Sequence, residues 1–372
     1  MRVLGFGDNI VDRFVDRGID YPGGNSVNVA VYARRLGLDA AYLGVFGDDD
    51  LGNFLRESIA AQGVAVDRCA VKEGESGVST LRVDDGDRIF LGWNGGGVTV
   101  SEPLVLDDDL LDYVSSFDLV HSSVYSRSES ELPKLAGLGP LVSFDLSSEE
   151  EFRAPAYLDR VCPHADLVLL SCSHLDEAAT RALLADAVRR GAGMALATRG
   201  VEGAIAHDGR VTVAVAARPV GEEEVVDTMG CGDAFLAGFA VSLLRSGWSA
   251  RPPSFGASGS GSSGSSAAGG AAGSSTSTGS GGSDSETSVR SEGAAGSKTS
   301  TGSATSASSA GARAARFART GSSPAEGAIE RALHDGAAAA YDQCFVEGAF
   351  GHGRATVTPP VASMWRAAEH ER

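Results

Sequence analysis

The stretch Gly230-Cys231-Gly232 sets one small residue between two glycines, and the chain then runs through Asp233 into an apolar segment of helical periodicity, Phe235 to Leu244. No other part of the sequence restricts the fold as much. Glycines at that spacing let consecutive backbone N–H groups turn toward a single point, and the helix that follows adds the positive end of its dipole there. Such a point holds an anion. Asp233, read as the last position before the helix, can cap it, or face the same point and accept a proton. For Gly-x-Gly-Asp alone the cap is the plainer reading, so the rest of the chain decides.

That remainder alternates short buried strands with helical patterns. Val3 to Phe6, Ala40 to Phe46, Phe117 to His121, Leu141 to Asp145, Asp166 to Leu170 and Met194 to Thr198 read as strands, with helices expected up to Leu36, from Asn53 to Gln62 and from Ala328 to Phe345. This is the pattern of an α/β fold with a mostly parallel sheet. Such sheets bind ligands at the carboxyl ends of their strands, which singles out Asp8, Asp12, His121 and Asp145; Asp8 also suits a turn or cap. In Gly23-Gly24-Asn25-Ser26-Val27-Asn28 the paired glycines allow close approach of backbone to a ligand, and two asparagines three apart at a helix start suit recognition of hydroxyls. Two β-rich runs flanking Asp84-Asp85-Gly86-Asp87 form a hairpin signal between Gly77 and Trp93, so a second, smaller sheet is expected.

Bulk properties narrow the function classes. A net charge of −18, with lysine only at Lys72, Lys134 and Lys298, argues against nucleic-acid and anionic-membrane partners. The five cysteines show no paired ligand spacing, and no disulfide is expected. The start enters a strand at once, and no apolar run approaches the length of a membrane span, so a reduced cytoplasm is the expected location. Residues 256–311 are composed almost wholly of Ser, Gly, Ala and Thr and bury too little to offset their ordering entropy, so 251–324 are read as a disordered insertion. The expected organisation is one domain over 1–250 and 325–358, with the insertion between and a tail at 359–372. Gly-x-x-x-x-Gly-Lys is absent, which excludes a P-loop enzyme, and Gly5-Phe6-Gly7 lacks the third glycine of a dinucleotide fingerprint.

The segment Asp227-Thr228-Met229-Gly230-Cys231-Gly232-Asp233-Ala234-Phe235 resembles the signature of the ribokinase-like (PfkB) carbohydrate kinases, with Cys231 in place of an alanine. Gly23-Gly24 to Asn28 is similar to that family's first signature, with Asp12 at its sugar-binding aspartate, and Thr198-Arg199-Gly200-Val201-Glu202-Gly203 is similar to a segment that lies against ATP. The order and spacing of all three strengthen the likeness.

The resemblance implies a three-layer α/β/α fold with a small β-sheet lid built from about 12–22 and 76–97. It implies Asp233 as the catalytic base and Gly230, Cys231 and Gly232 as an anion hole. Asp12, Gly24, Asn25, Asn28, His121 and Asp145 become sugar contacts, and Thr198, Gly200, Gly203 and Gly348 become ATP contacts. Glu177 would act on Mg2+ through water, although His174 stands where the family has an asparagine. ATP and Mg2+ are the implied cofactors, with room for a monovalent cation and for a homodimer formed through the lid. Within the family the motif combination looks most like fructoselysine 6-kinases, which phosphorylate a primary hydroxyl of a ketose adduct. Kinases of fructose, ribose or nucleosides, and a sugar-binding regulator without transfer, are the alternatives.

Overall fold

The computed structural model describes residues 1–84, 87–248 and 325–357; the expected insertion at 251–324 and the tail at 359–372 lie outside the described residues. A nine-stranded sheet forms the centre, in the order β13-β12-β11-β10-β9-β8-β1-β4-β5. Its strands are β1 (Arg2–Gly7), β4 (Asp39–Gly47), β5 (Ala70–Lys72), β8 (Leu119–Ser123), β9 (Leu141–Asp145), β10 (Leu167–Ser171), β11 (Met194–Thr198), β12 (Ala204–His207) and β13 (Thr212–Val215). All neighbours from β5 to β11 run parallel; β12 and β13 turn back as a hairpin.

The strands are apolar on both faces because both are covered. In β10, Leu167 and Leu169 pack on one side and Val168 and Leu170 on the other; Met194 and Leu196 alternate with Ala195 and Ala197 in β11. The first face is covered by α1 (Asn25–Arg35), α8 (Cys231–Arg245) and α9 (Glu326–Gln343), through Val29, Phe239 and Leu333. The second is covered by α4 (Asp108–Val114), α5 (Leu132–Leu135), α6 (Pro155–Val161) and α7 (Glu177–Arg189), through Val114, Leu132, Leu158 and Leu184. Helix α2 (Asp50–Ala61) begins at Asp49, whose carboxylate accepts from the Gly52 amide at 2.7 Å. The Asp48 to Asp50 charge cluster thus contains an N-cap, in line with a solvated helix start.

β1 and β8 are neighbours, yet the chain leaves β1 toward the α1 face and β8 toward the α5 face. This reversal opens a crevice at their carboxyl ends, the place where a doubly wound sheet accepts a ligand. Over the same edge lies a second sheet, in the order β14-β3-β2-β6-β7. It contains β2 (Ile10–Phe14), β3 (Ile19–Gly23), β6 (Val78–Asp84), β7 (Asp87–Trp93) and β14 (Arg354–Ala355). A buried bidentate pair, Arg13 to Asp20 at 2.7 and 2.8 Å, clamps β2 to β3, and the Thr356 hydroxyl adds a 3.0 Å bond to Asp20. Both the three-layer architecture and the smaller sheet agree with the sequence expectation.

Candidate active site

Helix α8 starts three residues earlier than the sequence suggested. Gly230 takes the N-cap position with φ 75° and ψ 0°, which leaves Cys231 as the first helical residue and puts Asp233 in the first turn. The reason is steric: at positive φ only glycine is unstrained, and a Cβ here would stand 2.2 Å from the Tyr32 hydroxyl oxygen. Ala234 is the first amide to close an intrahelical bond, to the Gly230 carbonyl at 2.8 Å. The Cys231 amide turns back to the Thr228 carbonyl at 3.3 Å, which leaves the Gly232 and Asp233 amides at the open end of the helix, as helix geometry requires. Gly232 faces open space, with no atom within 4 Å of the point where a Cβ would sit.

Helix α1 likewise starts one residue off the expected frame. Gly24, at φ 114°, is the N-cap; only glycine fits, because its Cβ position is closed by Asn9 and Asp8 at 2.8 and 2.9 Å, and having no side chain it makes no side-chain cap bond. Asn25 is thereby freed from capping. Its side-chain amide donates to an Asp145 carboxylate oxygen at 2.7 Å, while one turn on the Asn28 amide donates to Asp233 Oδ2 at 2.8 Å. The spacing of three puts both asparagines on the helix face that meets the carboxyl ends of β8 and β9. Asp12, on β2, reaches the same space: its Oδ2 lies 2.4 Å from where a Cβ on Gly23 would sit, so only glycine admits it there.

Four carboxylates consequently share one crevice. Asp233 is held well above the usual carboxylate range, first by burial and next by the negative charge of Asp145, against which the Asn28 hydrogen bond pulls it down; Asp8 and Asp12 add to the rise. Burial likewise raises Asp145 to about 6, opposed by hydrogen bonds from the Ser147 amide and Asn25. A carboxylate so placed is a stronger base than a solvated one and is poised to take a proton from a bound hydroxyl.

Other positions do a different job from the one expected. His121 has no exposed surface; its Nδ1 pairs with the Ser143 hydroxyl at 2.9 Å and burial lowers it to about 4, so it stands neutral behind the crevice wall, out of direct reach of a ligand. Glu177 opens α7 on an exposed surface and accepts from Arg181 Nε at 2.7 Å, the i,i+4 pair of a solvated helix face. Gly348 donates its amide to Asp227 Oδ2 at 3.0 Å and its carbonyl accepts from Gln343 at 2.9 Å, which makes it a fastener. Thr198, Gly200 and Gly203 do lie together at the carboxyl end of β11. Gly200 has φ 58° with Ser173 as its neighbour, and Gly203 at φ 92° passes so close to the Val215 carbonyl that a side chain has no room.

The sequence reading overlooked how the cradle is held. Asp227 is buried and accepts from the Met229 amide at 2.9 Å as well as from Gly348, and Gln343 also donates to the Met229 carbonyl at 3.0 Å. An Asx turn just before the glycines was a legible signal for Asp227. Nothing local marked Gln343, or Tyr32, whose hydroxyl donates to the Ala349 carbonyl beneath Gly230. Asp8 is also structural: its Oδ1 accepts from the hydroxyls of Ser26, Ser123 and Ser126 at 2.7, 2.9 and 2.5 Å, tying β1, α1 and the end of β8 together.

Residues 15–287 match the pfkB family carbohydrate kinases. The chain is 40% identical over 244 residues to fructosamine kinase FrlD of Bacillus subtilis, covering 65% of this chain and 84% of that protein. It is 34% identical over 244 residues to fructoselysine 6-kinase of Escherichia coli, covering 66% of this chain and 88% of that one. In architecture it is similar to a fructokinase with bound ATP from Xylella fastidiosa, with TM-score 0.53 and 22% identity over 66% of this chain and 81% of the other. With the cradle, the carboxylate crevice and the second sheet in place, these likenesses lead to one conclusion: the chain is a carbohydrate kinase that belongs to the pfkB family.

Proposed function

We propose that the protein transfers the γ-phosphoryl group of ATP to a primary hydroxyl of a ketose-type sugar, with fructoselysine as the substrate class. The reading rests most on one contact, the 2.8 Å bond from Asn28 to Asp233, which joins two motifs 205 residues apart and sets a hydroxyl-recognising helix against the base. The substrate class is supported by the relatives named for fructosamine and fructoselysine at 34–40% identity.

The steps follow from the side chains. Asp12, Asn25 and Asp145 accept and donate hydrogen bonds to the sugar hydroxyls, with Gly24 giving the backbone room to approach. Asp233 takes the proton from the attacking hydroxyl. ATP supplies the phosphoryl group, whose equatorial oxygens gather charge during in-line transfer, and the open amides of the glycine turn at the start of α8 neutralise it. Thr198, Gly200 and Gly203 flank the nucleotide. The second sheet closes over the sugar and excludes water, which would otherwise take the phosphoryl group. A homodimer formed through this sheet would cover Phe90 and Leu91, which are half exposed on the edge strand β7.

Glu177 does not fit as a metal ligand, and among the described residues no set of three His, Cys, Asp or Glu side chains gathers to hold an ion. No step is therefore routed through Mg2+.

The test is ADP release with fructoselysine, fructose, ribose and adenosine, for the wild type and Asp233→Asn. The expected result is the highest kcat/KM for fructoselysine. Loss of the base should lower kcat by about 10^2–10^4-fold with sugar binding retained. A near-normal kcat for Asp233→Asn ends the base assignment; a flat or differently ordered panel ends the substrate assignment.

A further inference from the structure

We infer that Cys231 and Cys344 form a redox-closable pair, a modification site at which peroxide converts two thiols into a disulfide and shuts the phosphoryl cradle. The sulfurs lie 3.7 Å apart although the residues are separated by 113 positions. That is van der Waals contact. A disulfide bond is about 2.05 Å long, so side-chain rotation and small backbone shifts need close a gap of only about 1.7 Å. Both residues are partly exposed, so a small oxidant has access.

The other cysteines are poor competitors. Cys162 and Cys172 are buried, and burial pushes Cys69 and Cys162 up to about 12 and raises Cys172 as well, which removes the reactive thiolate.

The location gives the pair its consequence, which rests on the cradle reading above. Cys231 is the first residue of α8 and stands between the two glycines of the cradle turn. Cys344 caps the carboxyl end of α9, and its carbonyl accepts from the Val226 amide at 2.8 Å at the start of the strap that leads into the glycines. A bond between them would pull the first turn of α8 toward α9. A misplacement of about 1 Å in a catalytic constellation costs on the order of 100-fold in rate.

The chemistry balances with hydrogen peroxide as the oxidant. One thiolate attacks peroxide, forming a sulfenic acid and releasing hydroxide, which takes up a proton to become water. The second thiol then displaces the sulfenic oxygen as water, forming the S–S bond. Two thiols are oxidised by two electrons and one peroxide is reduced to two waters; a dithiol reverses the change.

The experiment treats the full chain, purified in reductant and then desalted, with graded hydrogen peroxide. It follows ADP release and non-reducing peptide mass spectrometry, for the wild type, Cys344→Ala and Cys344→Ser. The expected result is a Cys231–Cys344 linked peptide lacking two hydrogens, a fall in kcat of at least about tenfold in step with it, and full recovery in dithiothreitol. Both variants, which keep the Cys344 carbonyl, should match the untreated wild type and resist the treatment. Absence of the linked peptide, a linked enzyme with unchanged kcat, or equal loss in the Cys344 variants overturns the inference. Failure of the cradle reading shows separately, as wild-type turnover by the fully reduced Gly232→Ala enzyme.

Discussion

Replacing Gly230 and Gly232 one at a time by alanine should have opposite effects on stability and activity, although the two stand only two residues apart. At Gly230 the backbone has φ 75°, and a Cβ would lie 2.2 Å from the Tyr32 hydroxyl oxygen and 3.2 Å from Ala349 Cα. The left-handed conformation costs about 1–2 kcal/mol for alanine. The buried Tyr32 ring must also shift, which separates its hydroxyl from the Ala349 carbonyl at a cost of about 1–3 kcal/mol for groups left unpaired. With some overpacking strain the total is about 3–6 kcal/mol. For a domain of about 280 residues the unfolding entropy is roughly 0.6 kcal/mol/K, so Tm should fall by about 5–10 °C. Gly232 has no positive φ and its Cβ meets nothing within 4 Å. Alanine there should leave Tm unchanged or raise it slightly, since glycine is the weaker helix former by up to about 1 kcal/mol. The methyl group would nevertheless occupy the space of the transferring phosphoryl group, and kcat/KM should drop by about 10^2–10^3-fold. The assays are thermal unfolding followed by circular dichroism and coupled ADP release. An unchanged Tm for Gly230→Ala would refute the packing argument, and wild-type turnover by Gly232→Ala would refute the cradle.

Asp145→Asn tests the electrostatics. The folded pKa of Asp145 is raised from 3.8 to about 6, so the protonated form is favoured; its stability is present below about pH 4 and lost as pH rises through about 6. At 1.36 kcal/mol per unit this amounts to about 3 kcal/mol at pH 8, so the variant should melt up to about 5 °C higher there, with the gap closing near pH 4. Because the Asp145 charge also helps hold Asp233 up, the acidic limb of kcat at saturating sugar should move to lower pH; a limb that stays in place removes that coupling. Arg13→Ala strands the fully buried Asp20 carboxylate, a cost of about 3–5 kcal/mol. Hydrogen exchange across Ile10 to Gly23 should speed up by more than tenfold, and unchanged protection would show that the pair does not hold the second sheet.

Much of the fold was legible because its signals are local. Leu167 to Leu170 and Met194 to Ala197 are apolar without interruption, which a parallel strand covered on both sides demands, and Gly23-Gly24 and Gly230 mark places where a side chain has no room or no permitted φ. Helix boundaries near the site were off by one and three residues for a related reason: Gly24 and Gly230 displaced the polar residues that propensity alone favours as caps, and so released Asn25 and Asp233 for other partners. Which way Glu177 points could not be read from the sequence, and the structure sets it on an exposed helix face, paired with Arg181 one turn later.

The sequence by itself determined the alternation of buried strands and helices, the glycine turns and the acidic residues at strand ends, since backbone sterics and hydrophobic periodicity act over a few neighbours. Only the tertiary structure decided that Asn28 meets Asp233, that burial and Asp145 raise that carboxylate, that His121 is sealed away, and that Cys231 touches Cys344. Those are contacts between distant segments, set by how α1, α8 and α9 pack on one face of the sheet, and the charge and solvent exposure of a group follow from what is packed against it.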